Sequence, residues 1–120
     1  MARILIVDDS QTLRRLLRKA LEEAGHEVVG EAEDGMEGAI LFSKKRPDVV
    51  TLDFNMPDFN GLACLASIRA NDPQAKVLIL SSEAQAGKIL EALEKGASHY
   101  LTKPFEPQDL LEAVADVLKA

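Results

Sequence analysis

"VTLDFNMPDFNG" (residues 50–61) begins as a buried strand, stops on the acid Asp53, and continues into a turn rich in Asn and Pro that ends on Gly61. The chain does this once before, in "ILIVDDS" (4–10), where an apolar run stops on Asp8 and Asp9. Both runs are nearly continuous in apolar residues, as is "KVLILS" (76–81). Strands that alternate in polarity face water on one side, whereas continuous apolar runs belong to strands covered by helices on both faces, and so to a parallel sheet. "EVVGEA" (27–32) and "HYLT" (99–102) are two shorter candidates.

Stretches at helical spacing separate these strands. Leu13, Leu16, Leu17, Ala20, Leu21 and Ala24 predict one helix face; Leu110, Leu111, Val114, Val117 and Leu118 predict another. Weaker stripes run from Met36 through Ala39, Ile40 and Ser43, from Leu62 through Leu65 and Ala66, and from Ala86 through Ile89, Leu90 and Leu93. The punctuation agrees with the stripes. Gly25 and Gly96 stand where helix C-terminal caps belong, Pro47 and Pro73 lie just beyond two helices, and Pro107 suits a first helical turn.

The chain therefore reads as (βα)5 in strict alternation, one domain over residues 1–120 without linker or repeat. Right-handed crossovers wind such a chain into an open, doubly wound α/β sheet of five parallel strands. The order 2-1-3-4-5 is adopted from the flavodoxin-like arrangement rather than from the strands themselves, and ligands of such sheets gather at the carboxyl ends of the strands near the switch between strands 1 and 3.

Composition narrows the class of function. A net charge of −6 opposes nucleic-acid phosphates, and the basic cluster Arg14, Arg15, Arg18 and Lys19 reads mostly as a solvated helix face. No apolar run has membrane-spanning length, and "MARILIV" lacks the pattern of a signal peptide, so a cytoplasmic protein with no membrane insertion is expected. Cys64, without a second thiol, reads as a small buried hydrophobe. His26 and His99 are isolated and read as surface or strand-end residues.

Asp8, Asp9 and Asp53 gathered at one sheet edge repel each other by about 1–4 kcal/mol per pair at about 4 Å. A hard divalent cation relieves that repulsion, and Mg²⁺ typically takes one or two carboxylates and shares a substrate phosphate. Ser81 and Lys103 fall at the same edge and offer a hydroxyl and a cation. Each residue alone has an ordinary reading: Asp8 and Asp9 as helix caps, Asn55 and Asp58 as turn residues.

"VDDS" (7–10), "LDFNMPDFNG" (52–61), "LILSSE" (78–83) and "YLTKPF" (100–105), in this order on these elements, resemble the receiver domain of two-component response regulators, especially single-domain chemotaxis regulators of the CheY type. The resemblance spans Arg3 to Leu118. It implies that Asp53 accepts a phosphoryl group from a histidine kinase. It further implies that Asp8, Asp9, Asp53 and the backbone carbonyl of Asn55 hold Mg²⁺, for which Mn²⁺ substitutes, and that Lys103 and Ser81 contact the phosphoryl oxygens. Pro57 and Gly61 match the family's loop, Lys103–Pro104 its cis peptide, and Ser81 with Tyr100 its switch. Asn55 and Glu83 stand where the lifetime of the acyl phosphate is tuned, here toward a short one. Ser81 replaces the commoner threonine, and Ser82 a common alanine.

By the same resemblance the chain is a monomeric switch, not a conventional enzyme, that promotes its own phosphorylation and autodephosphorylation. It would signal through the face of helix 4, strand 5 and helix 5, with Lys88, Glu91, Lys95, Tyr100 and Lys119 as exposed candidates, and a phosphatase is a further possible partner. Two alternatives stay within the family: a phosphorelay intermediate, or a receiver excised from a longer regulator. An Mg²⁺-dependent aspartyl phosphatase of the haloacid-dehalogenase kind needs a second aspartate two residues after the first, where this chain has Asn55. A dinucleotide-binding fold needs Gly-x-Gly-x-x-Gly where this chain has "DDSQTL".

Overall fold

A computed structural model describes residues 1–54, 61–82 and 86–119, without the side chains of Ala86 and Lys88. Strands and helices alternate as β1 (Arg3–Val7), α1 (Gln11–Glu23), β2 (Glu27–Ala32), α2 (Gly35–Lys45), β3 (Val49–Asp53), α3 (Gly61–Asn71), β4 (Lys76–Ser81), α4 (Ala86–Glu94), β5 (His99–Thr102) and α5 (Pro107–Lys119). All strand pairs are parallel, in the order β2-β1-β3-β4-β5.

The two-residue period of a strand divides the core into two layers. Leu5, Val7, Val50, Leu52, Val77 and Ile79 face α2, α3 and α4. Their neighbours Ile4, Ile6, Val49, Leu78 and Leu80 face α1 and α5. This double cover is why the strands read as unbroken apolar runs.

The stripes predicted for the helices need correction. In α1 the buried line is Arg14, Leu17 and Leu21, while Leu16 and Ala24 face outward. In α2 the buried line is Gly35, Gly38 and Phe42, and of the predicted stripe Met36, Ile40 and Ser43 are exposed while Ala39 is half-buried. The reason is close approach: a Cβ at Gly38 would lie 2.9 Å from Val7 Cγ2, so the helix comes nearer to β1 than any larger residue allows, and apolar counting passes over that glycine. Ala66 and Leu90 also face outward, with Ile68 and Ala92 taking their places in the core.

The punctuation holds. Gly25 and Gly96 have φ of 92° and 106°. Pro107 opens α5. Ser10 and Asp34 cap α1 and α2, each accepting a backbone N–H three residues on.

Candidate functional site

The register brings the site together. Val7 pairs with Leu52, so the residues that follow, Asp8 and Asp53, stand side by side where β1 and β3 end. Asp53 pairs with Leu80 and Ser81 with Thr102, which sets the ends of β4 and β5 on the same edge. Three backbone bonds continue the ladders past the strands: Asp8 N–H to the Ala32 carbonyl, Phe54 N–H to that of Leu80, and Lys103 N–H to that of Ser81.

One carboxylate oxygen from each of Asp8, Asp9 and Asp53 lies within 4.8 Å of the others. Asp53 is 2 % exposed and Asp8 1 %, whereas Asp9 is open to solvent. Lys103 Nζ donates to Asp53 Oδ1 at 3.1 Å. The Ser10 N–H donates to Asp8 Oδ1 at 2.8 Å, and Asp8 Oδ2 is buried with no hydrogen-bond partner. The Ser81 hydroxyl, fully buried, also has none among the described residues. Burial first, and the Asp53 charge behind it, push the Asp8 carboxyl up from its ordinary 3.8 to about 6, against the opposing pull of the Ser10 N–H and the Lys103 ammonium.

An orphaned carboxylate oxygen in a crowd of negative charge is the environment a cation resolves. All three donors are oxygens, the set that hard divalent ions prefer, so Asp8, Asp9 and Asp53 form an acidic pocket able to hold a metal ion. Lys103 offsets one negative charge of the three.

Most of the residues named from sequence are found at this edge: Asp8, Asp9, Asp53, Ser81 and Lys103. Lys103–Pro104 is a cis peptide. Gly61 has a spatial reason: a Cβ there would fall 2.4 Å from the Phe54 ring, the residue immediately after Asp53. Asn55, Pro57 and Glu83 lie outside the described residues. Tyr100 is exposed at the edge strand β5, its ring edge-on to His99 at 5.8 Å. Glu91, Lys95 and Lys119 are exposed as expected.

Arg14 was missed. It is buried, not solvated; its Nη1 donates to the Asp8 carbonyl at 2.7 Å and its Nε to Glu31 at 3.1 Å. Glu31 also accepts from Arg18 at 2.7 Å. A charged residue therefore buttresses the backbone of Asp8, and half of the basic cluster is engaged within the fold. The signal was present in the spacing, since Arg14, Leu17 and Leu21 share one helix face.

The family Response regulator receiver domain matches residues 4–115. The chain is 40% identical over 119 residues to "Chemotaxis protein CheY" of Listeria monocytogenes, covering 99% of this chain and 100% of that one. It is 44% identical to "Protein CcdB" of Bacillus subtilis, covering 98% of each. Among solved structures, a response regulator receiver domain protein from Clostridium thermocellum superposes with a TM-score of 0.92 at 32% identity, covering 99% of this chain and 95% of that one. Fold, acidic edge and sequence likeness over nearly the whole length agree: the chain belongs to the response regulator receiver domain family.

Proposed function

We propose that the protein is a phosphorylation switch of a two-component system, with Asp53 as phosphoacceptor and chemotaxis as its pathway. One observation carries the reading. At the carboxyl edge of the sheet a buried aspartate, a lysine ammonium 3.1 Å from it and a buried serine hydroxyl with no partner among the described residues converge beside two further acids.

An Asp53 oxygen attacks the phosphorus of a phosphohistidine; the P–O bond forms as the P–N bond breaks, and the imidazole leaves with the electron pair. Lys103 turns from Asp53 to a phosphoryl oxygen, and Ser81 donates its hydroxyl to another. Asp8, Asp9 and Asp53, with the carbonyl of Asn55, which lies outside the described residues, would hold Mg²⁺, and the ion would neutralise charge on the phosphoryl oxygens. Arg14 keeps the Asp8 backbone in place. Hydrolysis of the acyl phosphate by the protein itself resets the switch, with Asn55 and Glu83 setting its lifetime.

Ser81 and Tyr100 form the bistable element, and a target reads its state on α4, β5 and α5. The chemotaxis assignment rests on relatives named chemotaxis proteins, the one from Listeria monocytogenes among them.

The test is intact mass after incubation with acetyl phosphate, with and without Mg²⁺, on the parent and on Asp53→Asn. A Mg²⁺-dependent gain of one phosphoryl group that vanishes in the variant is expected. No gain by a folded parent in Mg²⁺ would overturn the reading.

A further inference from the structure

Two apolar side chains stand one turn apart on the outer face of α2: Met36 is 76 % exposed and Ile40 49 %. Beside them a shallow groove of about 370 Å³ runs between α2 and α3, lined by Gly35, Ala39, Ala63, Cys64 and Ser67. The outer face thus has an apolar middle that no described residue covers.

Its charges are arranged in opposition. Glu37 lies in the first turn and Lys44 in the last, and seven residues of helix bring the two onto the same flank. Ile40 falls between them, three residues after the acid and four before the base. A face of one sign would select a partner of the other sign. A face with acid at one end, base at the other and an apolar middle is its own complement when reversed.

We infer that α2 is a self-association surface, on which a second copy of this chain packs its own α2 antiparallel about a two-fold axis near Ile40. The two isoleucines meet at the axis, and each Glu37 faces Lys44 of the other copy. Glu37 Oε1 already accepts the Glu33 N–H at 2.9 Å, and its other oxygen is the one for the partner. A helix of this length presents a face about 16 Å long, a small contact beside the ~1,000 Å² that stable complexes exceed, so the association is weak and concentration-dependent. The contact is confined to α2 and the groove beside α3, and leaves α4, β5 and α5 uncovered, so a pair would display two output faces.

Sedimentation equilibrium of the full chain between about 10 µM and about 1 mM at low salt tests this. The parent is expected to follow a monomer–dimer equilibrium that Ile40→Glu abolishes. Lys44→Glu alone and Glu37→Lys alone each set like charges opposite one another and weaken the dimer by about tenfold. An equimolar mixture of these two variants makes both pairs complementary again and restores the dimer. Glu37→Gln keeps the contact to the Glu33 N–H while removing the charge, which separates the loss of the pair from the loss of the cap. A parent that stays monomeric throughout, a dimer indifferent to Ile40→Glu, or a mixture no tighter than its components would each overturn the inference.

Discussion

Replacing Asp8 by Asn should make the metal-free protein more stable, although it alters a buried residue of the site. The Asp8 carboxyl lies among acids with ligand oxygens within 4.8 Å, and at an effective dielectric near 20 two charges at that distance repel by about 3 kcal/mol. Its pKa carries the net effect, in which burial is the largest cause and the Asp53 repulsion a smaller one, opposed by the Ser10 N–H and Lys103. Folding raises it from 3.8 to about 6, and at about 1.36 kcal/mol per pH unit the charged form costs the fold on the order of 3 kcal/mol.

The sign follows from the direction. For a carboxyl whose folded pKa is raised, the contribution to stability is complete below 3.8 and is lost as pH rises through about 6. Asparagine carries no charge to lose, and its carbonyl oxygen still accepts the Ser10 N–H. At about pH 7.5 in EDTA the variant should therefore melt roughly 10 °C above the parent, and at about pH 4 the two should nearly coincide. In about 10 mM MgCl₂ the parent should recover most of the gap, because an ion that binds only the folded chain stabilises it, while the variant should gain little. Thermal melts followed by far-UV circular dichroism across pH read all of this. A variant that melts below the parent in EDTA at about pH 7.5, or one that still gains as much from Mg²⁺, would refute the electrostatic account.

Gly25 and Gly96 form a matched pair: both have positive φ, but a Cβ at Gly25 meets nothing within 4 Å, whereas one at Gly96 falls 2.7 Å from Arg69 Nε. Gly25→Ala should cost about 1–2 kcal/mol in urea denaturation and Gly96→Ala clearly more, since Arg69 donates to the Gly96 and Pro73 carbonyls and would have to move. Gly61→Ala forces the Phe54 ring aside and should lose about 1–3 kcal/mol together with phosphorylation rate, read by acetyl phosphate labelling; labelling at the parental rate would show that the packing does not reach Asp53. Burial raises the Glu31 carboxyl, but hydrogen bonds and charge from Arg18 and Arg14 outweigh it and hold the pKa below its ordinary 4.5. Glu31→Gln should accordingly be less stable than the parent near neutral pH, with the difference closing as pH falls below 4.5 through the lower folded value. Burial, with the Asp34 charge after it, pushes the Cys64 thiol to about 12, so Ellman's reagent should react with it slowly at about pH 8 until urea unfolds the chain.

What could be read from residues alone followed local rules. The five strands stop where their apolar runs stop, and the capping glycines and Pro107 lie where punctuation set them. The acids of the site were legible because each sits at a strand end, and a strand end shows in sequence as the place where an apolar run meets a polar residue. Arg14 and α2 were misread for a shared reason. Counting apolar residues assumes that the buried face is the apolar one, whereas Arg14 is buried by its hydrogen bonds to Asp8 and Glu31, and α2 is turned by the small size of Gly38 against Val7.

The sequence by itself determined the alternation of elements, because periodicity and turn chemistry act over a few residues. Only the tertiary structure decided that Asp8 and Asp53, separated by 45 positions, share one pocket, that Lys103 reaches Asp53 at 3.1 Å, and that Met36 and Ile40 face outward. Strand order and register set those distances, and they are settled by how the layers pack together, a property that no short stretch of chain contains.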